Sequence, residues 1–288
     1  MTEAAPRPVR PEASKPALIA AIAAVEGEQA AQAHHEHRVR DVYDRLAARY
    51  DVRGWWPADG PFEVVVGAIL TQRTAWTNVE KALANLKRAG ALSPAAMRAL
   101  SAGELAELIR PSGFYRGKAR KLMAFLDMLV DRFEGDLERM LTAPGDELRP
   151  LLLATHGVGE ETADAVLLYA ARQPFFVVDA YTRRTFSRLG VRPGGDTYNA
   201  WQRLFEESLP KDAALYGEYH ALIVEHARDA CRVEPLCDRC VLAEVCEAGL
   251  GRHQVAGDER VVQDAAADDE QVEDLVVAED AGERIRPA

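Results

Sequence analysis

The sequence predicts an all-α protein, and three observations carry that prediction. Apolar residues recur at three- and four-residue spacing along most of residues 38–249. Helix starts and stops separate these stretches, as at Ser93-Pro94 and Gly90. The one strand-like run, "FFVV" at 175–178, is too short to build a sheet.

Val39, Val42, Leu46 and Tyr50 share one face of a helix predicted over 38–50. The next segment, "PFEVVVGAIL" (61–70), is mostly apolar, so its periodicity leaves helix and strand both open. Helical spacing at Val79, Leu83 and Leu86 just beyond it favours helices on both sides of a short break. Ser93-Pro94 starts another helix, with Ser suited to the cap and Pro to the first turn. One more is expected from Ser101 to Ile109. Lys118 to Phe133 is a long amphipathic helix, with Leu122, Phe125, Leu126, Leu129 and Phe133 on one face. "DELRPLLLA" and "EETADAVLLYAAR" flank a tight turn, and residues 197–209 and 214–231 complete the set.

The formal charge is −11, but residues 251–288 hold eleven acidic and four basic residues and so carry most of it. An acidic total argues only weakly against nucleic acid when a tail supplies it. That tail lacks a periodic apolar face and is expected to be disordered, as is much of a leader over 1–37. "PALIAAIAAV" (16–25) follows basic residues as a signal peptide would, but Glu3 and Glu12 precede it and the run is Ala-rich. No apolar run approaches the ~20 residues of a membrane span. The expected location is the cytoplasm, in association with the nucleoid.

"CRVEPLCDRCVLAEVC" places Cys231, Cys237, Cys240 and Cys246 within sixteen residues. Four thiolates so close can wrap one soft centre, either tetrahedral zinc or an iron–sulfur cluster. Paired zinc knuckles have two CxxC units and this segment has one, which tilts the reading toward iron–sulfur.

"LLLATHGVGEETADAVLLY" (151–169) reads as a helix, a turn at His156-Gly157-Val158-Gly159, and a second helix. Gly157 and Gly159 allow positive φ and close backbone approach. The second helix would offer its first N–H groups to a phosphate, although an ordinary helix–turn–helix corner fits as well. Twenty residues beyond Gly159, Asp179 ends the apolar run "FFVV". Alone, it reads as the cap of a helix starting at Ala180.

In combination, the GVG hairpin, the aspartate and the terminal cysteines resemble the endonuclease III branch of the helix-hairpin-helix DNA glycosylases, over about Arg38 to Gly249. The resemblance implies a two-lobed all-α fold gripping double-stranded DNA with a damaged base. A six-helix barrel lobe would span 61–172. A second lobe, from 38–60 and 173–249, would hold a [4Fe-4S] cluster on the four cysteines. Asp179 would stabilise the oxocarbenium ion as the base leaves, with Arg183 contacting phosphate or sugar. The chain would act as a monomer.

Two departures matter. The branch uses a lysine where this chain has Glu161, and imine formation at the sugar C1′ needs an amine. Strand-nicking lyase activity is therefore not expected. The first cysteine spacing, five residues, is one shorter than usual.

Trp55 and Trp56 sit side by side before Pro57, and Trp76 follows the segment Thr71-Gln72-Arg73-Thr74. This layout is similar to the 3-methyladenine glycosylases of the same superfamily, in which aromatics sandwich the extruded base, and it implies a base pocket of Trp55, Trp56, Pro57 and Trp76. A cationic alkylated purine stacks well on indole and is an activated leaving group. The alternative is that the tryptophans plug a seam between lobes. By the same resemblance Gln72 would fill the gap left by the base, and Phe114 would wedge into the duplex, although Phe114 also fits a helix-corner core. Arg116 and Lys118 would give that segment a basic face for phosphates. The leading expectation is a monofunctional glycosylase for alkylated purines. A glycosylase for oxidised pyrimidine or mismatched thymine, and an inactive iron–sulfur DNA-binding protein, are the alternatives.

Overall fold

The computed structural model describes residues 35–251. The leader up to residue 34 and the acidic tail from 252 lie outside the described residues. Among the described residues there is no strand. None of the described helices is long and apolar enough to cross a membrane.

Helix α1 occupies 35–47 of the described residues and ends three residues before the predicted 50. Helices α2 (Pro61–Leu70) and α3 (Trp76–Arg88) follow. The ambiguous apolar run is thus a helix, buried at every position from Phe62 to Leu70. Burial on all sides explains why no amphipathic period marked it. Short helices α4 (Pro94–Arg98) and α5 (Ala102–Leu108) start where their caps predicted. Ser93 accepts from the Ala96 N–H, and Ser101 forms a reciprocal capping box with Glu104.

Helix α6 (Tyr115–Phe133) is the long amphipathic one, and α7 (Leu137–Thr142) and α8 (Gly145–Ala154) lead into the hairpin. Helix α9 (Glu160–Ala165) passes directly into a π turn over Val166–Ala170. "FFVV" then crosses in extended form to α10 (Ala180–Arg188). Helices α11 (Tyr198–Ser208) and α12 (Ala213–Asp229) complete the order, capped by Thr197 and Asp212.

The beginning of the described chain is fastened to its end. Tyr219 donates to Val39 O at 2.6 Å, Arg38 to Val245 O at 2.6 Å and Arg40 to Ser208 O at 2.7 Å. Val39, Val42 and Leu46 are fully buried. Arg149 and Gln202 both bond the buried Asp164, which joins α8 and α9 to α11. The loop over 48–60, with its paired tryptophans, is thereby carried against α12 and the π turn.

Candidate active site

Asp179 caps α10, as its sequence position suggested. Its Oδ1 accepts the Thr182 N–H at 2.7 Å and the Thr182 hydroxyl at 2.8 Å. That leaves Oδ2, which lies 3.5 Å from His220 Nε2. Burial pushes the Asp179 carboxyl up, but the imidazole and the Thr182 donors outweigh it and hold the group below its ordinary value. A carboxylate at the edge of an apolar core is therefore kept ionised.

Around this carboxylate the aromatic residues form a continuous chain of contacts. Trp56 packs against Trp76 at 5.5 Å between ring centroids and against Tyr169 at 4.8 Å. Trp55 meets Trp56 at 5.9 Å, Tyr169 at 6.0 Å and His220 at 5.5 Å. The Tyr169 hydroxyl lies 2.7 Å from His220 Nδ1 and 3.1 Å from Gly217 O. Sequence reasoning missed both Tyr169 and His220. One stands in an apolar run and the other is a lone histidine on a helix, 51 residues away. The wider π turn aims Tyr169 at α12, a distortion that recurs at functional sites. The Tyr169 ring lies against that helix at Gly217, where an added Cβ would be in van der Waals contact with it at 3.4 Å.

The three tryptophans are thus brought together, Trp55 against Trp56 and Trp56 against Trp76, and the assembly is joined to Asp179 through His220, which Trp55 and Tyr169 contact. Trp56 and Trp76 are in contact, so nothing the size of a base fits between them unless those rings part. Trp55, Trp56 and Tyr169 also line a groove of about 820 Å³ together with Ala213, Gly217 and Ala221. Pro57, expected in the pocket, is exposed and does not line that groove.

The hairpin is built as expected at one glycine only. Gly157 has φ +78°, and a Cβ there would collide with Lys121. Gly159 is extended at φ −91°, a conformation open to any residue, which corrects the expectation for this position. Val158 is buried, and its N–H is already bonded to Thr155 O. Glu160 and the exposed Glu161 occupy the first turn of α9, where their charges already complement the helix dipole.

Gln72 is tied to this hairpin. Its Nε2 donates to Gly157 O at 3.1 Å and to Thr162 Oγ1 at 2.9 Å, while its Oε1 accepts from Lys121. To fill a gap in a duplex it must release these three bonds.

Lys118 is corrected outright. Its side chain is buried, and Nζ donates to Leu70 O at 2.9 Å and Ser112 O at 2.5 Å. It ties the end of α2 to the turn before α6 and cannot reach a phosphate. Phe114, by contrast, is 41% exposed, so the core alternative fails for it. Its backbone is left-handed at φ 44°, and so is that of Arg73 at φ 54°, whose guanidinium lies over the Phe114 ring at 5.4 Å. Such backbone strain in bulky residues clusters at functional sites. Arg116 is stacked near Tyr115. Arg183 pairs with Asp196 at 3.1 Å, whereas the neighbouring Arg184 is buried and donates to Cys231 O.

The four cysteines are gathered after α12. Cys231 is buried and the other three are half-buried. Arg188 donates to Cys231 Sγ at 3.5 Å, and Cys246 donates to Arg188 O at 3.2 Å. Burial pushes the Cys240 thiol up to about 11 and raises Cys246 as well, and in both the neighbouring cysteines add to the rise. Among the described residues no three His, Cys, Asp or Glu side chains converge as ligands of one metal ion.

An all-α chain with a glycine hairpin ahead of a capping aspartate has the arrangement of a helix-hairpin-helix protein. Residues 66–211, half of the sequence, match the HhH-GPD superfamily of base excision DNA repair proteins, and the chain belongs to that superfamily. It is 47% identical over 210 residues to a Methanocaldococcus jannaschii protein described as a candidate DNA repair glycosylase, covering 72% of this chain and 95% of that one. Among solved structures, an H. pylori 3-methyladenine DNA glycosylase bound to 1,N6-ethenoadenine is similar, with TM-score 0.59 and 29% identity. That match covers 67% of this chain and 97% of the other. An endonuclease III–DNA complex matches with TM-score 0.64 and 26% identity, over 75% and 97% of the two chains. This protein is accordingly a base-excision DNA glycosylase, and its partner is DNA.

Proposed function

We propose that this glycosylase removes an N-alkylated purine such as 3-methyladenine and leaves the abasic strand uncut. The carrying observation is the assembly of Trp55, Trp56, Trp76 and Tyr169, joined to the ionised Asp179 through His220. A cationic purine gains a cation–π contribution from such rings that a neutral base does not. Its positive charge also makes it a good leaving group, so one carboxylate and no strong general acid suffice. The likeness to an enzyme bound to 1,N6-ethenoadenine supports a purine pocket.

In this mechanism the base is extruded from the duplex and parts the aromatic rings. The C1′–N bond breaks and its electron pair neutralises the departing purine. The Asp179 carboxylate faces the oxocarbenium ion. Water then bonds to C1′ and its proton passes to that carboxylate. Glu161 supplies no amine, so no imine forms and the backbone stays intact. Phe114 is the exposed aromatic for the gap in the stack, and Gln72 joins it after leaving the hairpin.

The spacing of the four thiols within sixteen residues, with one CxxC unit rather than two, supports a cluster over zinc. Cys231, Cys237, Cys240 and Cys246 would hold a [4Fe-4S] cluster that cross-links the segment after α12. The lobes would divide at 61–172, with 38–60 and 173–249 forming the cluster lobe, and the protein would act as a monomer.

The test is a panel of duplexes, each with one lesion, assayed with and without alkaline cleavage. Excision of 3-methyladenine with strand breaks only after alkali is expected. Excision of oxidised pyrimidine or mismatched thymine instead would replace this reading.

A further inference from the structure

We infer that His220, linked to the aromatic assembly by Tyr169, is the positioning residue that orients Asp179 for the glycosidic step. The inference rests on the reading of Asp179 above.

The proton placement follows from the contacts. The Tyr169 hydroxyl has two neighbours, His220 Nδ1 at 2.7 Å and Gly217 O at 3.1 Å. If it donates to Nδ1, the neutral ring carries its proton on Nε2. If it donates to Gly217 O, Nδ1 must itself bear a proton. A neutral ring would then turn a bare Nε2 lone pair on the carboxylate, which is repulsive, so the ring is doubly protonated. Both acceptable arrangements put an N–H on Nε2, facing Asp179 Oδ2.

That N–H is not yet well used. Nε2 is buried and makes no aligned hydrogen bond, and at 3.5 Å it stands just beyond a good one. A buried donor left unmet is uncommon, and catalytic hydrogen bonds often tighten only when substrate is bound. The surroundings supply a way to tighten it. Tyr169 packs on Trp56 and Trp55, and Trp55 is edge-on to His220 itself. A base that parts the indoles presses on the two side chains against which His220 rests. Filling the pocket and aiming Asp179 thereby become one movement.

The titratable groups facing this carboxylate are His220 from α12 and Tyr169 from the π turn. Tyr198 of α11 lies one residue back, accepting the Val178 N–H at 3.3 Å. The loop over 48–60 contributes only indoles here. With Oδ1 committed to Thr182, His220 is the group that acts on the free oxygen.

Two measurements on the full chain test this. Long-range ¹H–¹⁵N spectra at one fixed pH read the two His220 ring nitrogens in the wild type and in Asp179→Asn. An N–H on Nε2 whose signals move when the carboxylate is removed is expected, and a bare Nε2 or an unchanged Nε2 signal would overturn the pairing. This arm needs no substrate, so it decides the pairing even if no lesion in the panel is excised. The second arm is single-turnover excision against pH. His220→Ala should slow excision ~10- to 100-fold at saturating enzyme, the order expected for a hydrogen bond to a charged group. Its acid limb should move to higher pH while the half-saturating enzyme concentration holds. His220→Gln, whose amide nitrogen stands where Nε2 stood, should recover most of the rate. Equal losses in both variants with an unmoved acid limb would assign His220 to packing alone.

Discussion

Asp179 holds Thr182 with one oxygen and leaves the other uncommitted: Oδ1 accepts the Thr182 N–H at 2.7 Å, and Oδ2 turns toward the aromatic rings. One side chain therefore serves as helix cap and as charge. Asp179→Asn keeps an oxygen for the cap and loses the charge. We expect duplex affinity and melting temperature to be nearly unchanged and single-turnover excision to fall by at least ~10²-fold. Because the folded carboxyl is held below its ordinary value, wild-type excision should persist through mildly acidic pH. It should fall only as pH drops through that lowered value. Normal excision by the mutant would remove Asp179 from the reaction.

Glu161 stands in the first turn of α9, at the position where the resemblance to the endonuclease III branch implies a lysine. Borohydride should trap no covalent DNA adduct with the wild-type chain. Glu161→Lys should create a trappable one, because an amine at this site can form the imine. Efficient trapping by the unmodified protein would show that another lysine serves, with Lys211 the first to replace.

Truncating Trp55, Trp56 or Trp76 to Ala should reduce excision more than duplex binding. Phosphate contacts supply most of the affinity, and stacking acts on the extruded base at ~1–3 kcal/mol per contact. Cationic 3-methyladenine should lose more than a neutral lesion, and Phe should rescue in part. A drop in melting temperature with unchanged lesion preference would return these residues to the role of seam filler.

Lys118 predicts a stability effect where the sequence suggested a DNA contact. Burial, with a smaller contribution from Lys121, pushes its ammonium down to about 7. The unfolded chain then binds more protons than the folded one between about pH 7 and the ordinary lysine value, so this residue makes stability rise with pH across that window. Denaturant titrations of wild type and Lys118→Met should diverge there, with the slope from this group lost in the mutant. Meanwhile the salt dependence of DNA binding should stay the same in Lys118→Met and weaken in Arg116→Ala. A matching weakening in both would restore Lys118 to the phosphate face.

The purified protein should be yellow-brown and contain iron, with the broad visible absorbance of iron–sulfur charge transfer. Cys240→Ser should bleach it and lower its melting temperature, since binding such a centre is coupled to folding. Stoichiometric zinc without iron, measured by elemental analysis, would exclude the cluster.

By itself the sequence determined the helices with one apolar face, the Ser93 cap, the hairpin at Gly157 and the capping aspartate. Each of these is written in residues close together along the chain, where spacing and capping chemistry act directly. It also carried the superfamily, through the order of hairpin, aspartate and cysteines. Long-range packing decided the rest. α2 is buried on every side, so no periodicity distinguished helix from strand. Lys118 looked like a surface cation because its acceptors, Leu70 O and Ser112 O, are backbone atoms with no side-chain signature. Gln72 found its partners across 85 to 90 residues, and Tyr169 met His220 across 51. Whether two side chains so far apart touch depends on how the helices between them dock. That docking is set by the summed burial of the core rather than by any local pattern.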